Sequence, residues 1–159
     1  MTVNKPPILF IDTSILTNLL NVPGKNQDRA EVNEDFKLYR QQGAQFILPI
    51  TAVIETGNHI AHLPDGKMRR EIAEKFRAIL QQVVDGKTPW LLHDFDWDKD
   101  FLKLFLAGAS SGSSYVELAV QQVGAGDLCI LTEKDIFARK DIPGEVEVWT
   151  LDHGLDART

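Results

Sequence analysis

A single cysteine, Cys129, stands in a chain of 159 residues. That scarcity excludes an internal disulfide framework and a four-cysteine zinc site, and it fits a reducing compartment, with the cytoplasm as the default. Long hydrophobic runs are missing too: no stretch approaches the roughly 18 consecutive apolar residues that cross a bilayer. The start, Met1 to Pro7, carries one lysine and two prolines and no apolar segment of the kind a secretory signal needs. A soluble protein with no membrane partner is expected. Positive charge is in short supply, the formal net charge being −6, which taken alone opposes a constitutive nucleic-acid binder. Glycine signatures are incomplete. Gly124-Ala125-Gly126 lacks a third glycine at the dinucleotide spacing, and no Gly-Lys-Ser/Thr is present for a phosphate loop. Asp94-Phe95-Asp96-Trp97-Asp98 begins like a calcium loop, but the sixth position from Asp94 is Lys99 and the twelfth is Phe105, where that loop requires Gly and Glu.

What the chain does have is two apolar runs, near its opposite ends, that each stop on an aspartate: Ile8-Leu9-Phe10-Ile11-Asp12-Thr13-Ser14 and Val146-Glu147-Val148-Trp149-Thr150-Leu151-Asp152. A β-branched or aromatic run ending this way is how a buried strand presents an acid at its C-terminal edge. Between them, strand-like and helix-like patterns alternate, which predicts one α/β domain over 1–159 with a parallel sheet covered on both faces. Strands are expected over 8–12, 45–49 and 146–151, with a minor one at Trp90-Leu91-Leu92. Helices are expected from Ser14 to about Asn21 with Thr13 or Ser14 as N-cap, near 29–42 and from Thr51. Further helices are expected over 67–84, 98–107 and 114–122, and from Asp127 to about Lys140. Asp98 reads as the cap of the helix it precedes.

Two further acids fall in the same settings. Glu55 lies in the first turns of the helix after the second strand, and Asp127 heads a helix behind Gly126. Strand C-terminal ends and the N-termini of the following helices open on one edge of a parallel sheet, so Asp12, Glu55, Asp127 and Asp152 are expected to converge. Four carboxylates brought together repel one another and take up protons unless a cation intervenes. Hard divalent ions such as Mg²⁺ or Mn²⁺ take oxygen ligands and accept phosphate oxygens beside them, which points to phosphodiester hydrolysis.

In Phe10-Ile11-Asp12-Thr13-Ser14, Thr51-Ala52-Val53-Ile54-Glu55, Gly126-Asp127-Leu128 and Thr150-Leu151-Asp152, the chain resembles the PIN domain family of metal-dependent ribonucleases. Many toxins of bacterial toxin–antitoxin pairs belong to that family. The resemblance runs from 8 to 155 and implies a three-layer α/β/α sandwich with a central, mainly parallel sheet. It also implies RNA cleavage with Mg²⁺ or Mn²⁺ by the quartet Asp12, Glu55, Asp127 and Asp152, with Ser14 and Thr150 as auxiliary hydroxyls. An antitoxin protein and a second copy of the chain enter as partners on the same ground. Leu131-Thr132-Glu133-Lys134-Asp135 is set aside as the terminal acid motif because Lys134 stands where an Asp is needed. The segment 67–107 is longer than in compact toxins of the family.

Each residue also has a plainer reading. Asp12 can cap a helix, Glu55 can be an exposed helix residue, Asp127 can simply complement a helix dipole, and Asp152 can be a turn residue. Ser14 reads equally as a cap and Thr150 as strand filler. His59, four residues after Glu55, reads as a packing residue. Lys134, Arg139 and Lys140 are candidate RNA contacts, and Lys67, Arg69, Arg70, Lys75 and Arg77 read as a solvated helix face. Two other classes stay open. One is a non-catalytic RNA- or protein-binding module on the same fold. The other is a serine hydrolase using Ser110, since Gly108-Ala109-Ser110-Ser111-Gly112 matches G-x-S-x-G, a pattern that needs a strand before it and a helix directly after.

Overall fold

The computed structural model describes residues 5–140 and 144–156. The start of the chain up to Asn4 and the turn at Pro143 lie outside the described residues. β1 (Ile8–Ile11) is the centre of the sheet and is buried at all four positions. This is why its sequence is a continuous apolar run without alternation. β2 (Gln45–Ile47) and β3 (Val146–Trp149) flank it, both parallel, in the order β2-β1-β3. Phe10 is in register with Ile47 on one side and Val148 on the other.

The strand period of two divides the core. Leu9, Ile11, Phe46 and Trp149 join one apolar cluster. That cluster takes in α1 (Thr13–Leu19) and α2 (Arg29–Gln41), together with α3 (Ile50–Ala61) and α4 (Gly66–Val84). Ile8, Phe10, Ile47 and Val148 join the other, with α7 (Ala125–Ala138) and α8 (His153–Asp156). α5 (Lys99–Leu106) packs on α7, and α6 (Tyr115–Val120) packs on α5. Helices therefore cover both faces of a three-strand parallel sheet, an arrangement compatible with a three-layer α/β/α sandwich. Among the described residues no helix is long and apolar enough to cross a membrane.

Local chemistry sets the boundaries. Asp65 accepts from Lys67 N (2.8 Å) and Met68 N (3.2 Å) to start α4, and Asp98 accepts from Phe101 N (2.9 Å) to start α5. Gly43, at φ +80°, closes α2 in the left-handed conformation that a side chain resists. Some expected boundaries shift. The second strand stops at Ile47, because Pro49 takes the N-cap place of α3. The last strand stops at Trp149, because Thr150 turns its hydroxyl to Asp12. Residues 90–92 form an isolated bridge rather than a strand: Phe46 N donates to Pro89 O and Leu91 N to Phe46 O, both at 2.8 Å. Ser110 is in an exposed turn that follows a helix, α5, so the strand required before a nucleophile elbow is absent.

Phe46 is the most enclosed ring of the larger cluster, with Phe36, Trp90 and Trp149 at centroid separations of 4.9, 5.9 and 6.1 Å. Phe46→Ala is expected to lower the unfolding free energy by about 3–5 kcal/mol in urea titrations. A loss below about 1 kcal/mol would mean that the surrounding rings collapse into the space.

Candidate metal centre

The C-terminal edge of the sheet gathers the acids. Asp12 follows β1 directly and is 5% exposed. It sits at the N-cap position of α1 but makes no side-chain cap hydrogen bond. Its Oδ2 instead accepts from Ser14 Oγ at 2.9 Å and from Thr150 Oγ1 at 2.7 Å. The expected cap role of Thr13 or Ser14 is thereby corrected, since both hydroxyls are spent on carboxylates: Thr13 Oγ1 donates to Glu55 Oε2 at 2.7 Å. Each hydroxyl has one proton to give, and here that proton goes to an acid.

The hydroxyls also accept. Leu151 N donates to Ser14 Oγ (3.1 Å) and Asp152 N to Thr150 Oγ1 (2.9 Å). The chain after β3 is thus fastened to the start of α1. Asp152 is exposed, and its Oδ1 accepts from Gly154 N (2.8 Å) and Leu155 N (3.3 Å), capping α8. Glu55 is half-buried, with Oε1 against Gly126, where a Cβ would overlap it. Without a Cβ at 126, the first turn of α7 lies close to Glu55 and Thr51 of α3; a larger residue there would make the Glu55 carboxylate shift.

Asp127, in that first turn, reports the shared field. Its carboxyl is pushed up from an ordinary 3.8 to about 6, first by burial, then by the negative charges of Asp12, Asp152 and Glu55. Asp127 is thus close enough to each of the other three acids to feel its charge. The four are not drawn tight: among the described residues, no three carboxylate, imidazole or thiol groups are placed to grip one ion together. The two observations address different distances, since charge repulsion acts well beyond the 2–2.6 Å or so of a coordination bond. The donor set is all oxygen, which suits Mg²⁺ or Mn²⁺, and the net negative field suits a cation. Holding an ion would require the carboxylates to turn inward.

The proposed RNA contacts lie along and just past α7. The carboxyl of Glu147 is raised, first by burial and then by Glu145, with the charge of Lys134 acting the other way, and Lys140 lies over the Phe137 ring at 5.5 Å. Arg139, the C-cap of α7, is exposed. Arg139 follows Asp127 by about 18 Å along a helix axis, whereas Lys134 follows it by only about 10 Å. His59 is half-buried. Three contributors escape a sequence reading: Thr13 as the partner of Glu55, Gly126 as the gap Glu55 fills, and the buried pair Glu133–His93 described below. Only the small residues between the acids and the helix starts signalled the first two.

No protein-family model, no curated protein and no solved structure matches this chain.

Because the folded-state value of Asp127 lies above the unfolded one, its contribution to stability is full below about pH 3.8 and is lost as pH rises through about 6. Asp127→Asn removes the ionisation. In chelator its melting temperature is expected to gain on that of the parent protein across this window and to stay level with or above it at neutral pH. A variant that trails by a constant margin at every pH would assign Asp127 a structural role.

Proposed function

We propose that this chain is a divalent-metal-dependent ribonuclease of the PIN type, hydrolysing RNA phosphodiester bonds at Asp12, Glu55, Asp127 and Asp152. The observation that carries the reading is the place of Asp12, Glu55, Asp127 and Asp152 at the C-terminal edge of the sheet, where Asp127 is raised to about 6, first by burial and then by the charges of the other three. An arrangement that stores mutual repulsion at a sheet edge, where α/β proteins bind ligands, is better explained by a cation than by packing.

Mg²⁺ or Mn²⁺ held there supplies Lewis-acid charge for phosphodiester hydrolysis. The chain's own residues do the rest. Ser14 and Thr150 fix the plane of the Asp12 carboxylate by donating to one of its oxygens, and Thr13 fixes Glu55 in the same way. Neutral donors orient these acids without cancelling their charge, so their attraction for a cation is kept. Asp127 holds a proton more tightly than an ordinary carboxyl, but with a value of about 6 it is largely ionised at neutral pH and would be available to a cation there. A role as the toxin of a toxin–antitoxin pair, with an antitoxin and a second copy of the chain as partners, rests on the sequence resemblance.

The looseness of the acids favours a second reading, a binding module on the same fold without catalysis. One pair of measurements separates them. For the nuclease, Mn²⁺ at about 100 times its dissociation constant is expected to stabilise the protein by about 2.7 kcal/mol. Asp12→Asn should remove that stabilisation and lower cleavage of a fluorogenic single-stranded RNA by about 100-fold or more, the scale on which one transition-state-stabilising group acts. Circular dichroism should stay unchanged. Undiminished metal-dependent cleavage by folded Asp12→Asn contradicts the proposal, and absence of any Mn²⁺ stabilisation favours the binding module.

A further inference from the structure

A second carboxylate system lies beneath the first. Glu133, on α7, has a side chain only 1% exposed, and so has its neighbour His93. Its Oε1 is 3.2 Å from His93 Nδ1, and its Oε2 accepts from the backbone N–H of Ile50 at 3.2 Å. Ile50 is the first residue of α3. The N-cap there, Pro49, has no side-chain oxygen to offer, and α3 has no cap hydrogen bond of its own. A carboxylate from a different helix thus closes the start of α3, at the end where the helix dipole favours negative charge. Phe10, Phe95 and Phe137 enclose the imidazole at centroid separations of 5.0–5.5 Å, and His93 Nε2 has no hydrogen-bond partner among the described residues.

A buried carboxylate is costly unless its partners are well placed, so the pair calls for a reason beyond packing. The seam between α3 and α7 supplies one. Gly126 meets Glu55 and Thr51, the Cys129 thiol sits against Thr51, and Glu133 takes Ile50 N. Positions 126, 129 and 133 share one face of α7. The first two contacts are a gap and a thiol, neither of which fixes an axial position. The bond from Glu133 is directional, and it ties α7, which carries Asp127, to α3, which carries Glu55.

We propose that Glu133 is a positioning residue: through Ile50 N it sets the register of α3 against α7 and thereby holds Glu55 beside Asp127. The proposal rests on the metal-centre reading above. Its action passes through the α3 backbone, so its loss matters to the ion only while Glu55 is a ligand.

The test is a double-mutant cycle read by Mn²⁺ titration, free Mn²⁺ being followed by electron paramagnetic resonance and folding by circular dichroism. Glu133→Met keeps the volume and removes both hydrogen bonds. It is expected to weaken Mn²⁺ binding about 10-fold, the effect of losing an outer partner of a metal ligand, but less than about 2-fold when Glu55→Gln is already present. Glu133→Gln, which retains an acceptor for Ile50 N–H, should bind within about 3-fold of the parent protein. Should Glu133→Met not fold, Glu133→Asp, one methylene shorter, takes its place with the same expectation. Equal losses with and without Glu55, or no loss at all, overturn the positioning role and leave the metal centre standing. A loss of about 10-fold in Glu133→Gln overturns it as well, by showing that charge and not position matters. A parent protein that binds no Mn²⁺ removes the metal reading itself, a result recognisable before any variant is made.

Discussion

A carboxylate at the end of a buried central strand has to be hydrogen-bonded, and in this protein the requirement is met from the far end of the chain. Asp12 Oδ2 accepts a hydrogen bond from Ser14, two residues on, and another from Thr150, 138 positions away. The second bond joins the ends of β1 and β3 above the sheet. Ser14 in turn accepts from Leu151 N, so the crossing is made twice. The register of β1 with β3, Phe10 opposite Val148, is what brings Thr150 within reach. Slipping that register by one residue would turn the apolar side chains of β3 to the wrong faces and remove the partner of Asp12 in the same step.

From this fixed point the electrostatics follow. The sheet edge holds Asp12 and the turn leading to Asp152, and α3 and α7 bring Glu55 and Asp127 over it. Hydroxyls and backbone amides orient the carboxylates. Such a cluster keeps its negative field, and the raised Asp127 carboxyl is the sign of it.

The α3–α7 seam shows how a site of this type is supported from below. Glu133 is as buried as any core leucine, yet it caps one helix from another and holds an imidazole wedged among phenyl rings. Gly126 allows the approach and Glu133 limits it. A gap and a directional bond together define a distance that apolar packing alone leaves adjustable.

The fold class was legible because each strand carries its own signature: the unbroken apolar run of β1, the aromatic β2, and the Val-x-Val-Trp of β3 all survive without knowledge of their partners. The four acids were legible for the same reason, each standing at a strand end or helix start. The sequence by itself determined that these carboxylates would be directed to one edge. Only the tertiary structure decided what orients them. That Thr13 would serve Glu55 and that Glu133 would cap α3 both depend on distances between elements remote in sequence. Periodicity fixes which face of an element a side chain occupies, but the partner it meets there is set by the packing of helices against the sheet, and no local pattern encodes it.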